Sequence, residues 1–205
     1  MSLPDSSQWY TKERAMAEEV TWLLNQSAKV HLRFLLPRIE REGVKSVVEF
    51  GCGVGLVASG LVDKVDYIGI DSNPFFITRA RNRLAGRPCF FYEADIRDRV
   101  AVNDFLQSQL SCAFFFLKNF GLHEWDQILA KLLSHGRFGC FDMQIAERDH
   151  DNGAEFHHVY LTQEHLERAV AAAGHKIVDR EVQAESTVER LGLMREVMFW
   201  TQRVM

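Results

Sequence analysis

Hydrophobic residues in the first part of the chain recur three or four positions apart among charged residues. This spacing runs from about Ser7 to Glu42 and predicts two amphipathic helices, the second of which ends at Gly43. From Lys45 onwards the pattern changes to short apolar strands that alternate with amphipathic segments. We therefore expect an N-terminal helical appendage, 1–44, and a main domain, 45–205.

The main domain shows the alternation of strands and helices that is typical of a mostly parallel sheet. Strands are predicted at 46–50, 66–70, 89–92, 112–117 and 137–143, and helices at 54–61, 75–84, 100–110 and 125–133. Residues 112–117 are continuously apolar, which favours a central strand covered on both faces.

The last part of the chain departs from this alternation. A polar segment that contains histidines runs to Tyr160, and a helix follows with Thr162 as its N-cap and Gly174 as its stop. Two strands, 175–183 and 195–201, then flank a loop with no helix between them, which predicts an antiparallel hairpin at a sheet edge. The fold class expected is α/β, with a doubly wound, mostly parallel, seven-stranded sheet that ends in this hairpin.

Composition narrows the possible partners. The chain has 205 residues, of which 47% are hydrophobic, and a formal net charge of −4, so it has no basic field to attract nucleic acid. No apolar run reaches the roughly 20 residues of a membrane span, and the N-terminus lacks the apolar stretch of a signal peptide, so a cytoplasmic location is expected. The four cysteines form no C-x-x-C pair and are expected to be reduced, mostly buried residues.

The first strand runs directly into a glycine-rich turn. Glycines at 51, 53 and 55 allow positive φ angles and let a ligand approach the main chain. A dinucleotide-binding loop would have a third glycine where Leu56 stands, and the acidic Glu49 would repel a pyrophosphate. The turn therefore favours a nucleotide ligand without phosphate over a dinucleotide.

The second strand ends in a carboxylate, Asp71, about 20 residues after Gly51. An acid at this position lies beside the first loop of a doubly wound sheet, where its two oxygens can accept hydrogen bonds from both ribose hydroxyls. Pro74 opens the next helix, with Ser72 or Asn73 as its cap. The alternative is that Asp71 only caps that helix.

These segments together resemble class I S-adenosylmethionine-dependent methyltransferases, in order and from about Lys45 to the end. The resemblance implies a Rossmann-like methyltransferase fold and S-adenosylmethionine as cofactor, with S-adenosylhomocysteine as product. It assigns adenine binding to Asp95 and Ile96 after the third strand; the alternative for Asp95 is a solvated charge. The full set of cofactor-binding candidates is Glu49, Gly51, Cys52, Gly53, Gly55, Asp71, Ser72, Asp95, Ile96 and Lys118.

The segment after the fourth strand bears on the methyl acceptor. Asn119 is followed by Phe120 and Gly121 instead of the Asn-Pro-Pro sequence of enzymes that methylate bases or glutamine amides. It is more similar to small-molecule methyltransferases, in which a histidine often follows this strand. His123 and Asn119 are therefore the catalytic candidates, although His123 could instead be a helix-start residue that packs beside Trp125.

Two further segments are candidates for covering the acceptor. In relatives, N-terminal helices form a lid, for which Trp9 and Tyr10 are the aromatic candidates; the alternative for this pair is a simple core-packing role. The loop with His157 and His158 is a second candidate. No metal site is expected, because those histidines lack helical pairing. The function expected is methyl transfer to an O or N atom of a small molecule; the alternatives are a nicotinamide-dependent oxidoreductase and a non-catalytic cofactor-binding accessory protein.

Overall fold

A computed structural model of the protein describes residues 16–17, 27–98, 108–151, 159–188 and 192–204. Contacts between residues group the chain into two compact units, Met1–Leu106 and Gln107–Met205. No helix among these described residues is long and apolar enough to cross a membrane. The predicted division into 1–44 and 45–205 stays a prediction.

The first unit is a three-stranded parallel arrangement with helices between its strands. Its elements are α1 (Ser27–Glu42), β1 (Ser46–Phe50), α2 (Ala58–Leu61), β2 (Asp66–Asp71), α3 (Pro74–Arg83) and β3 (Cys89–Glu93). β2 pairs in parallel with both β1 and β3. α1 ends at Gly43 with a φ of +64°, as the sequence predicts. Of the two N-terminal helices, α1 is the second; most of the first lies outside the described residues.

The second unit holds the remaining strands. Its elements are β4 (Leu110–Ala113), a 3₁₀ turn (Leu117–Asn119), α4 (Leu122–Ser134), β5 (Phe138–Ile145), β6 (His150–Asp151), β7 (Val159–Tyr160), α5 (Gln163–Ala172), β8 (His175–Val188) and β9 (Gly192–Arg203). β4 and β5 are parallel, whereas β9 pairs antiparallel with both β5 and β8. The register of β8 shifts twice, between Ile177 and Asp179 and between Val182 and Ala184.

Seven strands form one sheet in the order β3-β2-β1-β4-β5-β9-β8. This order confirms the doubly wound, mostly parallel sheet with an antiparallel hairpin at its edge. The sheet is buried in the middle, where the side chains of Phe50, Phe141 and Trp200 are fully covered. The four cysteines are free thiols, and three of them are buried.

Several predicted boundaries are wrong. The fourth strand ends at Ala113, so residues 114–117 of the apolar run are not strand. The hairpin strands are longer than predicted, and the small β6–β7 pair was not predicted. The helix predicted at 54–61 is confined to Ala58–Leu61. The helix predicted at 100–110 lies largely outside the described residues, and its last residue, Leu110, begins β4 instead.

Candidate active site

The glycine turn after β1 is fixed to β2 through its backbone. The amides of Gly51 and Cys52 both donate to the carbonyl of Ile70, at 2.8 and 3.0 Å. Gly51, Gly53 and Gly55 have φ angles of +70°, +52° and +76°, a region that glycine occupies without strain. The turn therefore has the backbone conformation that its glycines predict, at the carboxyl end of β1, where open α/β sheets bind ligands.

Cys52 fills the space under this turn. Its side chain is buried, and a Cβ atom added at Gly69 of β2 would lie 2.8 Å from its sulfur. Burial, with the nearby charges of Asp71 and Glu49, holds the pKa of the Cys52 thiol well above its usual range. The thiol is thus a packing group and a poor nucleophile.

Asp71 connects the glycine turn to the start of α3. Its Oδ2 accepts a hydrogen bond from the amide of Gly53 at 3.0 Å, and its Oδ1 accepts one from the amide of Asn73 at 2.9 Å. Each carboxylate oxygen has a further lone pair that can accept from a hydroxyl. Burial raises the pKa of Asp71 to about 6, although the two amides oppose this rise.

Asn73, and not Asp71, caps α3. The side-chain oxygen of Asn73 accepts from the amides of Phe75 and Phe76, at 2.9 and 3.3 Å, and Pro74 occupies the first turn. The alternative in which Asp71 only caps this helix is therefore wrong. The neighbouring Ser72 is exposed, and its proposed contact with the cofactor stays a prediction.

Glu49 is a buried acid that is hydrogen-bonded to Tyr67 of β2. It is 2% exposed, and the hydroxyl of Tyr67 donates to its Oε2 at 2.5 Å. Burial raises the pKa of Glu49 to about 8; the bond from Tyr67 opposes the rise, and the charge of Asp71 adds to it. Glu49 is therefore mainly protonated at pH 7, and a cationic group placed beside it would favour its ionised form.

We expect Glu49→Gln to stabilise the protein, and more so at higher pH. Between pH 4.5 and about 8 the folded protein holds a proton on Glu49 that the unfolded chain releases, so stability falls as pH rises through this window. The neutral glutamine removes that dependence, and its gain in free energy of unfolding should reach at least about 1 kcal/mol at pH 8. Urea unfolding at pH 5 and pH 8 measures both values.

Glu93→Gln, at an exposed position on β3, is the matched control and should change stability equally at the two pH values. A gain from Glu49→Gln that does not grow with pH would contradict the assignment of a buried, protonated acid.

The predicted adenine-binding residues lie directly after β3. Ile96 is buried, at 3% exposure. The Asp95 carboxylate accepts hydrogen bonds from the amide and the guanidinium of Arg97, with Nη2 at 2.6 Å from Oδ2. Asp95 is thus ion-paired and partly buried, not simply solvated. Arg97 was missed from the sequence, where only its position two residues after Asp95 signals the pairing.

Phe115, two residues after the end of β4, has a left-handed conformation, with a φ of +54°. Its amide donates to Oδ1 of Asp142 at 2.7 Å, and its carbonyl accepts from Nδ2 of Asn119 at 2.8 Å. The Lys118 ammonium lies 4.9 Å from the centroid of its ring. Asn119 and Lys118 therefore organise this turn locally, and their predicted catalytic and cofactor-binding roles stay predictions.

His123 is exposed, in the first turn of α4. Gly121 precedes the helix, and a Cβ atom there would lie 2.6 Å from Cε1 of His123, so glycine leaves room for the imidazole. The amide of Leu122 donates to Oδ2 of Asp151 at 3.1 Å, so a side chain from β6 supplies the missing cap. The ring that packs edge-on against Trp125 is His165, at 6.2 Å between centroids.

His165 joins two aspartates and was not singled out from the sequence. Its Nδ1 lies 2.6 Å from Oδ2 of Asp149, and its Nε2 lies 2.8 Å from Oδ1 of Asp126. Burial alone would lower the pKa of His165, but the two aspartates raise it above its ordinary value. The amide of Thr162 also donates to Asp149, at 2.6 Å. This cluster ties the chain before β6 to α4 and α5.

We expect His165→Gln to destabilise the protein by about 1–2 kcal/mol at pH 6 and by less at pH 9. The raised pKa means that the stabilising contribution is complete below the ordinary pKa of 6.5 and is lost as pH rises through the higher folded value. Urea unfolding at the two pH values measures the difference. The exposed His123→Gln serves as control; an effect of His165→Gln that is equal at both pH values would rule out the charged form.

The four candidates for covering the acceptor, Trp9, Tyr10, His157 and His158, lie outside the described residues. Their predicted roles stay predictions.

Comparison with known proteins finds no matching family model. An uncharacterized methyltransferase of Mycobacterium tuberculosis H37Rv is 32% identical over 71 residues, which is 34% of this chain and 36% of the relative; an uncharacterized methyltransferase of Mycobacterium bovis matches equally. The match thus spans about a third of the length of these curated relatives.

Solved structures match over most of the chain. A Clostridium acetobutylicum S-adenosylmethionine-dependent methyltransferase superposes with a TM-score of 0.72 at 12% identity, covering 94% of this chain and 99% of its own. The Burkholderia thailandensis 1,6-didemethyltoxoflavin-N1-methyltransferase gives 0.65 at 16% identity, covering 94% and 85%. The Synechocystis PCC 6803 magnesium protoporphyrin IX methyltransferase gives 0.65 at 13%, covering 87% and 79%. The chain therefore has the fold of the class I S-adenosylmethionine-dependent methyltransferases, as its sequence motifs predict.

Proposed function

We propose that the protein is an S-adenosylmethionine-dependent methyltransferase that acts on an O or N atom of a small molecule in the cytoplasm. The observation that carries this proposal is the bond between Asp71 and the amide of Gly53, which places a carboxylate against a left-handed glycine turn with lone pairs to spare. The names of the similar proteins support it: the matched curated relatives are methyltransferases, and two solved neighbours hold S-adenosylmethionine or S-adenosylhomocysteine.

The residues of the first unit fit an adenosine cofactor that carries no phosphate. Asp71 accepts ribose hydroxyls, Gly51 and Gly53 leave room for the methionine portion beside the main chain, and Asp95 with Ile96 binds the adenine. Glu49 lies behind the turn, where its ionisation compensates a positively charged ligand. A pyrophosphate would meet the carboxylate of Asp71 without an opposing cation from the turn itself, which disfavours a dinucleotide.

S-adenosylmethionine supplies a methyl carbon that its sulfonium already activates, so the chain needs no strong electrophile of its own. Its residues hold the acceptor in line and exclude water, which contributes about 7–11 kcal/mol to reactions of this kind. For a hydroxyl acceptor, His123 takes the proton as the oxygen–carbon bond forms and the carbon–sulfur bond breaks. An amine acceptor requires only that the nitrogen arrive neutral.

Titration calorimetry with S-adenosylhomocysteine, NAD and NADP tests the cofactor. We expect S-adenosylhomocysteine to bind and the two dinucleotides not to bind; the reverse would favour an oxidoreductase. Incubation with methyl-labelled cofactor and fractionated metabolites then tests catalysis, and a labelled fraction would distinguish an enzyme from an accessory protein that only binds the cofactor.

A further inference from the structure

Phe115 occupies an unfavourable backbone conformation at the carboxyl end of β4. Among the described residues it is the one non-glycine residue with a positive φ angle. A bulky side chain adopts this region only where its surroundings enforce it, and such residues cluster at ligand sites. The strained backbone of Phe115 therefore marks this residue as a candidate part of a ligand site.

Two hydrogen bonds enforce this conformation. Asp142, on β5, is only 5% exposed, and its Oδ1 accepts from the Phe115 amide at 2.7 Å. Asn119 donates to the Phe115 carbonyl at 2.8 Å. The amide and the carbonyl of Phe115 are both held by hydrogen bonds, so the backbone fixes the position from which its side chain extends.

Two aromatic side chains at this point are only partly covered. Phe115 and Phe116 are half-buried. The ring of Phe116 packs edge-on against Phe120, which is buried, with 4.9 Å between centroids. Partly exposed aromatic faces attract flat aromatic ligands through offset or edge-on contacts. The end of a strand in an open α/β sheet is also where such sheets bind their ligands.

We propose that Phe115 is a specificity-determining residue of the acceptor site, that it selects a flat aromatic acceptor, and that Asp142 positions it. This inference rests on the proposed methyltransferase function. The acceptor is a planar ring system that stacks on Phe115 and presents an oxygen or nitrogen for methylation.

Binding of 2-naphthoate and of its saturated counterpart, decahydro-2-naphthoate, tests the proposal, because the two probes share charge and size but differ in flatness. Calorimetry or ligand-observed NMR is performed with and without saturating S-adenosylhomocysteine. We expect the wild type to bind 2-naphthoate at least about threefold more tightly than the saturated probe, as stacking contacts provide. Equal binding of the two probes would overturn the proposal.

Phe115→Gly removes the ring and suits the left-handed backbone, and Phe115→Asn is a second variant that tolerates the same conformation. Both should abolish the preference for 2-naphthoate, because they remove the ring on which it stacks, and leave the dissociation constant of S-adenosylhomocysteine within about threefold of wild type, because Phe115 is not among the cofactor-binding candidates. Phe90→Ala, at an aromatic residue of β3 that is 64% exposed, should leave both unchanged. A preference that survives in the glycine and asparagine variants would overturn the role of Phe115.

Asp142→Ala and Asp142→Asn test the positioning role. The alanine variant should lose the preference, and the asparagine variant, which keeps an accepting oxygen, should recover most of it; loss in both or in neither would contradict positioning by Asp142. Cofactor binding and the preference for a flat acceptor are measured separately. Binding of S-adenosylhomocysteine without any preference for 2-naphthoate overturns the aromatic acceptor alone, whereas a preference without cofactor binding overturns the proposed methyltransferase.

Discussion

Asp71→Ala is expected to weaken the binding of S-adenosylhomocysteine at least about a hundredfold, because two hydrogen bonds to a charged group are lost at about 1.5 kcal/mol or more each. The substitution also removes the acceptor that the amides of Gly53 and Asn73 share. The glycine turn therefore loses a connection to β2, and we expect a fall of about 1–2 kcal/mol in the free energy of unfolding as well. Calorimetry and urea unfolding measure the two effects.

Asp66→Ala is the matched control, because Asp66 is an exposed carboxylate at the other end of the same strand. It should leave cofactor affinity unchanged. Asp71→Asn keeps one accepting oxygen and should give an intermediate loss. An unchanged dissociation constant in Asp71→Ala, measured on folded protein, would remove Asp71 from the cofactor site.

His123→Ala is expected to reduce turnover by about 10²-fold, the usual contribution of a general base, once an acceptor hydroxyl has been identified. Cofactor affinity should stay within about threefold of wild type, since the interaction belongs to the transition state. The exposed position of His123 in the first turn of α4 leaves its imidazole accessible to an acceptor. Single-turnover rates with labelled cofactor measure the chemical step directly.

His150→Ala provides the comparison, because His150 is a partly buried histidine of β6 in the same unit. It should retain near-normal turnover. Near-normal turnover in His123→Ala as well would exclude His123 as the base. That outcome would favour an amine acceptor, or a base from the segment that contains His157 and His158.

Features that depend on neighbouring residues were predicted well from the sequence. The helix starts at Asn73 and Thr162 rest on side chains that accept amides two or three residues away, and Gly43 and Gly174 end their helices with positive φ angles. The glycine turn and the position of Asp71 follow from local spacing in the same way. The mostly parallel sheet follows from the alternation of strands and helices, and its antiparallel edge hairpin follows from two strands with no helix between them.

Features that depend on distant residues were not predicted. The apolar run after Ala113 has strand composition throughout. Asp142, 27 residues from Phe115 in sequence, accepts a hydrogen bond from the amide of Phe115, and this bond ends the strand. The cluster of Asp126, His165 and Asp149 joins residues 39 and 16 positions apart. Burial decides the protonation of Glu49, and its neighbours in sequence carry no sign of that burial.

The shifts in the register of β8 have a consequence for the behaviour of the protein at high concentration. A strand of 14 residues at the edge of a sheet presents a long row of backbone groups to which another chain can add. Val178 and Val182, at 44% and 46% exposure, would strengthen such an addition. Two irregularities and the exposed charges of Arg180 and Glu185 interrupt this row, so the edge is a poor template for aggregation.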